Sequence, residues 1–374
     1  MLPINHSEVL VANYPLEDNS KKIYTPDKKA LLQVVNFNNV IDVGILNHFM
    51  NNNSLDFMEM DTTSHNFFYA RKYPNDNRLI PIVKHFERCE KIFDSIIETI
   101  LQTDDLIDDE SFTFFNELVL NTLSNIESSG INTIDGIKYS QYNIYTSTGR
   151  PSNRFGGVNY AAMSKEDGSR KNIVSRFEDG KMLMFDYDAY HLRLIAKIVG
   201  YDFPEGSVHQ YLAGQYGVDY DKSKSLSFAY LYGEIPYKIA KKIPFFHKVQ
   251  KYIDKKWLEY KRNNFVVSDI YNRKIGSSIS FTNKSKLFNY CIQLLETENN
   301  MTVLDDLLPL LKGKKTKLIL YSYDSFLFDF HKDDGMDFLK QIKKVVEKNN
   351  SYPVKVGWGT NYHKLEDITE KFND

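Results

Sequence analysis

The spacing of apolar side chains predicts where this chain folds before any chemistry is considered. Ile82, Phe86, Cys89, Phe93, Ile96 and Ile100 recur at three- and four-residue steps, with Lys84, Glu87, Arg88 and Lys91 facing the other way. That is the stripe of an amphipathic helix over 78–101. A second helix is predicted from Ser111 to Ile126, with Phe115, Leu118, Thr122 and Ile126 on one face and Gly130 as its stop. Joined by the acidic stretch Asp104 to Glu110, the two would form an antiparallel pair. Up to about Phe68 the chain is polar and Asn-rich, with one short apolar stretch at Leu31 to Val35.

Beyond Gly149 the pattern changes. Lys181 to Phe185 reads as a short apolar strand ending at Asp186, followed by a helix from about Tyr190 to Val199. Further helices are predicted from Lys222 to Tyr232, stopping at Gly233, from about Phe245 to Tyr260, and from Ser285 to Leu311. Val266 to Ile270 and Lys274 to Ser280 read as a hairpin turning at Asn272-Arg273. Lys317 to Tyr323 and Phe326 to Phe330 read as two strands around a turn at Asp324-Ser325. A helix from Met336 to Lys348 and a strand at Val354 to Gly357 complete the pattern. Strands and helices mixed without regular alternation indicate an α+β fold.

The 374 residues are 42% hydrophobic and 26% charged, which excludes a disordered chain and allows a sizeable core. No apolar run approaches the ~18 residues of a bilayer span, and Met1 to Tyr14 lacks the pattern of a signal peptide. Cys89 and Cys291 alone support neither a disulfide framework nor a structural zinc site. The expectation is a cytoplasmic protein. A net charge of −2 argues against a uniformly basic nucleic-acid coat but leaves room for a local basic groove beside acidic residues. Lys and Arg cluster at Lys21-Lys22, Lys28-Lys29, Lys248 to Arg262, Arg273-Lys274 and Lys312 to Lys317, each of which reads equally as solvated surface. The abundance of Asn, Lys, Ile and Tyr points to AT-rich coding, as in many phages, which would place the protein in a host cytoplasm.

Asp186 and Asp324 stand out because each terminates an apolar strand, where an ionised carboxylate is costly unless paired or bound to a cation. Taken singly, either could be a strand-end cap, and Asp188 a cap of the helix that follows. The order of motifs adds more. Thr146 to Ser152 precedes Glu178-Asp179-Gly180 and Asp186-Tyr187-Asp188-Ala189-Tyr190-His191-Leu192-Arg193; then come Lys224, Phe228, Tyr232 and Gly233, Asn289 with Gln293, and Tyr323-Asp324-Ser325. This ordered set, from Thr146 to the C-terminus, resembles the family A DNA polymerases, the group of the bacterial DNA polymerase I large fragment.

The resemblance implies a right hand: an N-terminal segment 1–68, a reduced part of the palm in one reading, a thumb-like helix pair over 69–140, palm over 141–200, fingers over 201–284 and palm again over 285–374. It implies that Asp186, Asp324 and the Tyr187 backbone carbonyl hold two Mg²⁺, with Asp186, Asp324 and Lys224 as the catalytic set. Two ions about 3.5–4 Å apart are what paired carboxylates can hold for nucleotidyl transfer. Lys224, Phe228 and Tyr232 share a helix face by spacing alone. By resemblance they join His209 and His191 in binding the nucleotide, while Arg150, Asn289, Gln293, Tyr323 and Arg273 contact DNA.

Five positions depart from the family pattern. Tyr220 stands where an Arg is usual, His191 where the family has Glu, Tyr323 and Ser325 flank Asp324 in place of His and Glu, and Ser285 replaces an Arg. His191 would still be bulky enough to exclude a ribose 2′-hydroxyl, although an imidazole could also offer that hydroxyl a partner. Phe228 in place of Tyr implies poor use of nucleotides lacking a 3′-hydroxyl. The implied activity is primer extension with dNTPs on primer–template DNA by a monomer without proofreading or 5′ nuclease domains. A separate exonuclease, helicase or processivity factor would then be its partners. The alternatives are an RNA polymerase-like enzyme and an inactive nucleic-acid-binding replication factor.

Overall fold

The computed structural model describes residues 2–5, 8–10, 23–25, 28–32, 39–51, 109–152, 158–276, 281 and 283–372. The helix expected over 78–101 and most of the acidic stretch after it lie outside the described residues. The chain divides into two compact units, one of Met1–Gly130, Tyr139–Tyr145 and Asn153–Val158, the other of Ile131–Lys138, Thr146–Ser152 and Asn159–Asp374.

In the first unit β1 (Leu2–Asn5) pairs antiparallel with β2 (Glu8–Leu10), and β3 (Ile23–Thr25) pairs in parallel with β4 (Val40–Asp42). The short helix α1 (Lys28–Leu31) lies between β3 and β4 in the chain, and α2 (Val43–Asn51) follows them. Residues 110–129 form α3, capped where the Asp109 side chain accepts from Phe112 N at 3.0 Å and closed by Gly130 at φ 64°. Its middle, Phe114–Val119, is a π-helix. The wider turn advances the buried face by one position, so Val119 is enclosed and Leu118, expected inside, is only half-buried. Lys28 and Lys29 are not surface charges. Lys29 Nζ pairs with Glu127 and donates to Tyr142 O at 2.7 Å, and Lys28 Nζ lies 3.0 Å from Glu117. Enclosed cations need such partners.

The second unit begins with the hairpin β5 (Ile131–Thr133) and β6 (Gly136–Lys138) and is built on a five-stranded sheet. Its strands are β7 (Lys181–Tyr187), β10 (Lys317–Ser322), β11 (Ser325–Phe330), β12 (Val354–Gly359) and β13 (Glu366–Asp367), in the order β10-β11-β7-β12-β13 and antiparallel throughout. The central strand β7 is covered on both faces, so Met182, Leu183 and Phe185 are all buried. Between β7 and β10 lie α4 (Tyr190–Ile198), α5 (Val208–Tyr216), α6 (Tyr220–Tyr232), α7 (Tyr237–Lys242), α8 (Pro244–Asn263) and α9 (Lys284–Leu311); α10 (Gly335–Val346) follows β11. Leu192, Leu212, Leu231, Phe245, Val249 and Ile292 unite α4 to α9 in one apolar cluster.

The middle of helix α9 is enclosed on all sides rather than amphipathic, and it carries Glu296, Thr297, Glu298, Asn299 and Asn300 into the interior. The hairpin expected over 266–280 shrinks to β8 (Val266–Val267) and β9 (Lys274–Ile275), with residues 277–280 outside the described set. The residues flanking its turn are buried, and Arg273 N donates to Ser268 Oγ at 2.9 Å.

Candidate active site

Register places the two aspartates side by side. Asp186 on β7 lies opposite Ser325 on β11 and Lys355 on β12, and Asp324 immediately precedes Ser325. Tyr187 N donates to Asp324 O at 3.0 Å, closing the ladder at this end. Because Ser322 pairs with Ser325, the turn comprises Tyr323 and Asp324, one residue earlier than the sequence pattern predicted. The apolar run hides this, since the boundary depends on cross-strand pairing rather than on composition. Tyr323 takes φ 59°, a left-handed conformation that usually calls for glycine. Its surroundings hold it there: Asn300 Nδ2 donates to its carbonyl at 2.5 Å, and the Arg150 guanidinium lies 3.7 Å over its ring.

Helix α6 supplies the opposite wall. Asp219 caps it by accepting from Lys222 N at 2.8 Å, and Gly233 ends it where a Cβ would come within 2.6 Å of Ala229 O. Lys224, Phe228 and Tyr232 therefore share one face, with the Phe228 and Tyr232 rings stacked at 5.9 Å. His209 on α5 packs edge-on against Phe228 and Tyr220. Its burial lowers the imidazole pKa, so it lines the wall as a neutral ring.

A cavity of about 570 Å³ lies between these walls, wholly within the second unit. It brings together Asp186, Tyr187, His191, His209, Lys224, Phe228, Tyr232, Tyr323, Asp324 and Arg150, all expected from the sequence. Asn289 and Gln293 stand outside its lining: Asn289 Nδ2 donates to Tyr232 O at 3.2 Å, and Gln293 accepts from Thr148 Oγ1 at 3.4 Å. Arg273 corrects an expectation. It is 3% exposed, and its pKa falls to about 10 because burial opposes its charge more than Glu298 supports it. A side chain so enclosed does not form a DNA-binding surface. Asp188 also departs from expectation. It does not cap α4, whose N-cap is Ala189 and which has no side-chain cap; its carboxylate lies 3.6 Å from Arg193 and 3.7 Å from Lys355.

Three lining residues escaped sequence reasoning: Glu296, Lys165 and Lys355. Glu296 is fully buried, with one oxygen 2.8 Å from Arg150 Nε and the other 3.0 Å from His191 Nε2. It follows Gln293 by three residues on α9, so the helix face already bearing Asn289 and Gln293 carried the signal.

Burial, with the Asp324 charge second, raises the Asp186 pKa to about 6, while Lys165, Lys355 and Lys224 pull the other way. Asp324 is also raised, first by burial and then by Glu296, against His191 and Arg150. A half-buried Asp186 beside the more exposed Asp324, with ammonium groups around them, forms a site that favours a bound cation between the acids and an anion beside the lysines. Among the described residues no group of three or more His, Cys, Asp or Glu forms a ready metal cage. Hard oxygen donors of this number fit Mg²⁺, which commonly keeps waters and substrate phosphates in its shell.

No family model matches the chain, and no curated protein matches it. Among solved structures it is similar to the polymerase domain of Pol1 from M. smegmatis, determined in complex with DNA primer-template and dNTP. The two are 17% identical with a TM-score of 0.50, the match covering 74% of this chain and 55% of that one. The chain thus spans just over half the length of that structure, and the likeness is one of fold: the protein has a polymerase-like fold. No described helix is long and apolar enough to cross a membrane.

Proposed function

We propose that the protein is a template-directed DNA polymerase of the family A kind, adding dNTPs to a primer 3′ end. The observation that carries this reading is that Asp186 on β7 and Asp324 in the turn before β11 stand side by side, facing a wall that bears Lys224, in a polymerase-like fold. In this reading the sheet is the palm and α5 to α8 belong to the fingers. Asp186, Asp324 and the Tyr187 carbonyl would hold two Mg²⁺, which when bound supply charge neutralisation for the triphosphate and a more acidic primer hydroxyl.

The remaining work falls to the protein's own groups. Lys224 places an ammonium against the triphosphate and is positioned to donate a proton to the leaving pyrophosphate. Lys355 and Lys165 add positive charge around Asp186, while Tyr220 on α6 brings none. His209 offers a neutral ring to the same phosphates. Phe228 packs on the incoming sugar and base, and Tyr232 lies beside the templating position. Arg150, anchored by Glu296, reaches the primer terminus.

Primer extension tests the reading. With Mg²⁺, dNTPs and a primed template the protein extends the primer, and on unprimed template or with rNTPs it does so poorly. Asp186→Ala and Asp324→Ala each abolish extension while leaving primer–template binding nearly intact, because binding rests on phosphate contacts made elsewhere. Near-normal extension by either variant would refute the assignment.

A further inference from the structure

The buried middle of α9 carries a run of hydrogen bonds with one direction. Lys348 Nζ donates to Asn299 Oδ1 at 2.8 Å, Asn299 Nδ2 donates to the Tyr190 hydroxyl at 2.7 Å, and that hydroxyl donates to Asn300 Oδ1. The amide nitrogen of Asn300 then donates to the Tyr321 hydroxyl at 3.0 Å and to the Tyr323 carbonyl at 2.5 Å. Tyr190 keeps its proton because burial pushes its phenol well up, so it can donate to one Asn while accepting from the other. Asn299, Asn300, Tyr190 and Tyr321 are all buried. Both polar atoms of the Asn300 side chain are thus partnered, and its amide fits in one orientation only.

This side chain reaches both elements that bear the aspartates. Tyr190 opens α4, four residues after Asp186, and its ring stacks on Tyr187 at 4.1 Å. Tyr323 precedes Asp324 in the two-residue loop between Ser322 and Ser325. Tyr323 takes φ 59° and Asp324 has no positive φ, the pattern of a hairpin loop whose first residue is ordinarily glycine. A tyrosine there is strained and stays only where its surroundings hold it. We propose that Asn300 is a positioning residue for the paired aspartates: by gripping the Tyr323 carbonyl and the Tyr190 hydroxyl together, it sets the loop that carries Asp324 against the strand that carries Asp186. This rests on the polymerase reading above, in which those carboxylates hold metal ions. Asn300 is not among the residues lining the cavity, so it acts on the site only through Tyr323 and Tyr190.

Mn²⁺ binding to the full-length protein, followed by calorimetry without DNA or nucleotide, reads the arrangement of the carboxylates directly. Asn300→Leu keeps the bulk and removes the grip. It should weaken Mn²⁺ binding by about tenfold, the worth of one buried hydrogen bond, and lower kcat for primer extension with little change in KM for dNTP. Tyr190→Phe leaves the Asn300 donors in place but frees their orientation; it should give a smaller loss of the same kind, and it decides the matter if Asn300→Leu does not fold. Tyr323→Gly supplies the residue that such a loop adopts without help. Added to Asn300→Leu, it should recover most of the Mn²⁺ affinity, a coupling that a double-mutant cycle measures. An Asn300 that merely stabilised the interior would instead lower resistance to urea and leave Mn²⁺ affinity unchanged. Wild-type Mn²⁺ affinity in both Asn300→Leu and Tyr190→Phe overturns the proposal, as does a loss that Tyr323→Gly leaves undiminished. A wild-type protein that binds Mn²⁺ but extends no primer would remove the polymerase reading, while the binding data would still report whether Asn300 sets the aspartates.

Discussion

Replacing Asp186 by Asn should stabilise the metal-free protein while ending its activity. The carboxyl is largely enclosed at the end of β7 beside Asp324, and its pKa rises from 3.8 to about 6. Between those two values the folded protein holds a proton that the unfolded chain has already released. Stability therefore falls as pH rises through that window, and above pH 6 the full difference has been lost. At about 1.4 kcal/mol per pH unit, the displacement is worth about 3 kcal/mol. Water on the cavity side trims it, so a gain of about 1–3 kcal/mol is expected for the Asn variant at pH 7.5. Asn keeps the shape and carries no charge. Urea unfolding in EDTA would be measured at pH 4, 5, 6 and 7.5. The variant should match wild type at pH 4, draw ahead between pH 4 and 6, and hold a constant lead above that. Mg²⁺ should then narrow the lead, because a cation bound by the folded wild type stabilises it by mass action. A variant no more stable than wild type at pH 7.5, or ahead by the same margin at pH 4, would refute the reasoning.

Lys224→Ala should lower kcat/KM for dNTPs by about 100-fold, through both terms, since it removes a charge aimed at the phosphates; steady-state single-nucleotide incorporation measures it, and a silent variant would sink the role given to α6. Tyr220→Arg adds a cation to a lining position whose ring now packs against His209. It should tighten dNTP binding severalfold in the same assay, and weaker binding would show that this wall does not face the triphosphate. Asp329 is fully buried and receives Ser175 Oγ, Arg176 N at 3.1 Å and Arg176 Nε at 2.8 Å. Asp329→Ala should cost about 3–5 kcal/mol in urea unfolding, because it strips the counter-charge from beside Arg176, in the bend before β7.

The sequence by itself determined most of the long elements of the second unit and ten of the residues that line its cavity. Helices α4, α6, α8, α9 and α10 and the strands β7, β10, β11 and β12 were readable because apolar spacing reports which side of an element is covered. Asp186, Asp324 and the Lys224–Phe228–Tyr232 face were readable because polar groups at the ends of apolar strands and at regular helical steps stand out from that spacing. Other features depended on partners distant in the chain. The one-residue advance of the Tyr323-Asp324 turn is set by the Ser322–Ser325 pairing, and the lost place of Leu118 by a π turn that spacing does not announce. Arg273 and the pair Lys28-Lys29 read as basic surface, and only the packing around them shows each to be enclosed. Glu296 is the sharpest case. In sequence it is one acid on a long mixed helix; in the folded protein it lies between Arg150, 146 residues earlier, and His191 on α4. Periodicity records whether a position is covered, but not which group covers it, and the electrostatics of a buried charge depend on that second fact.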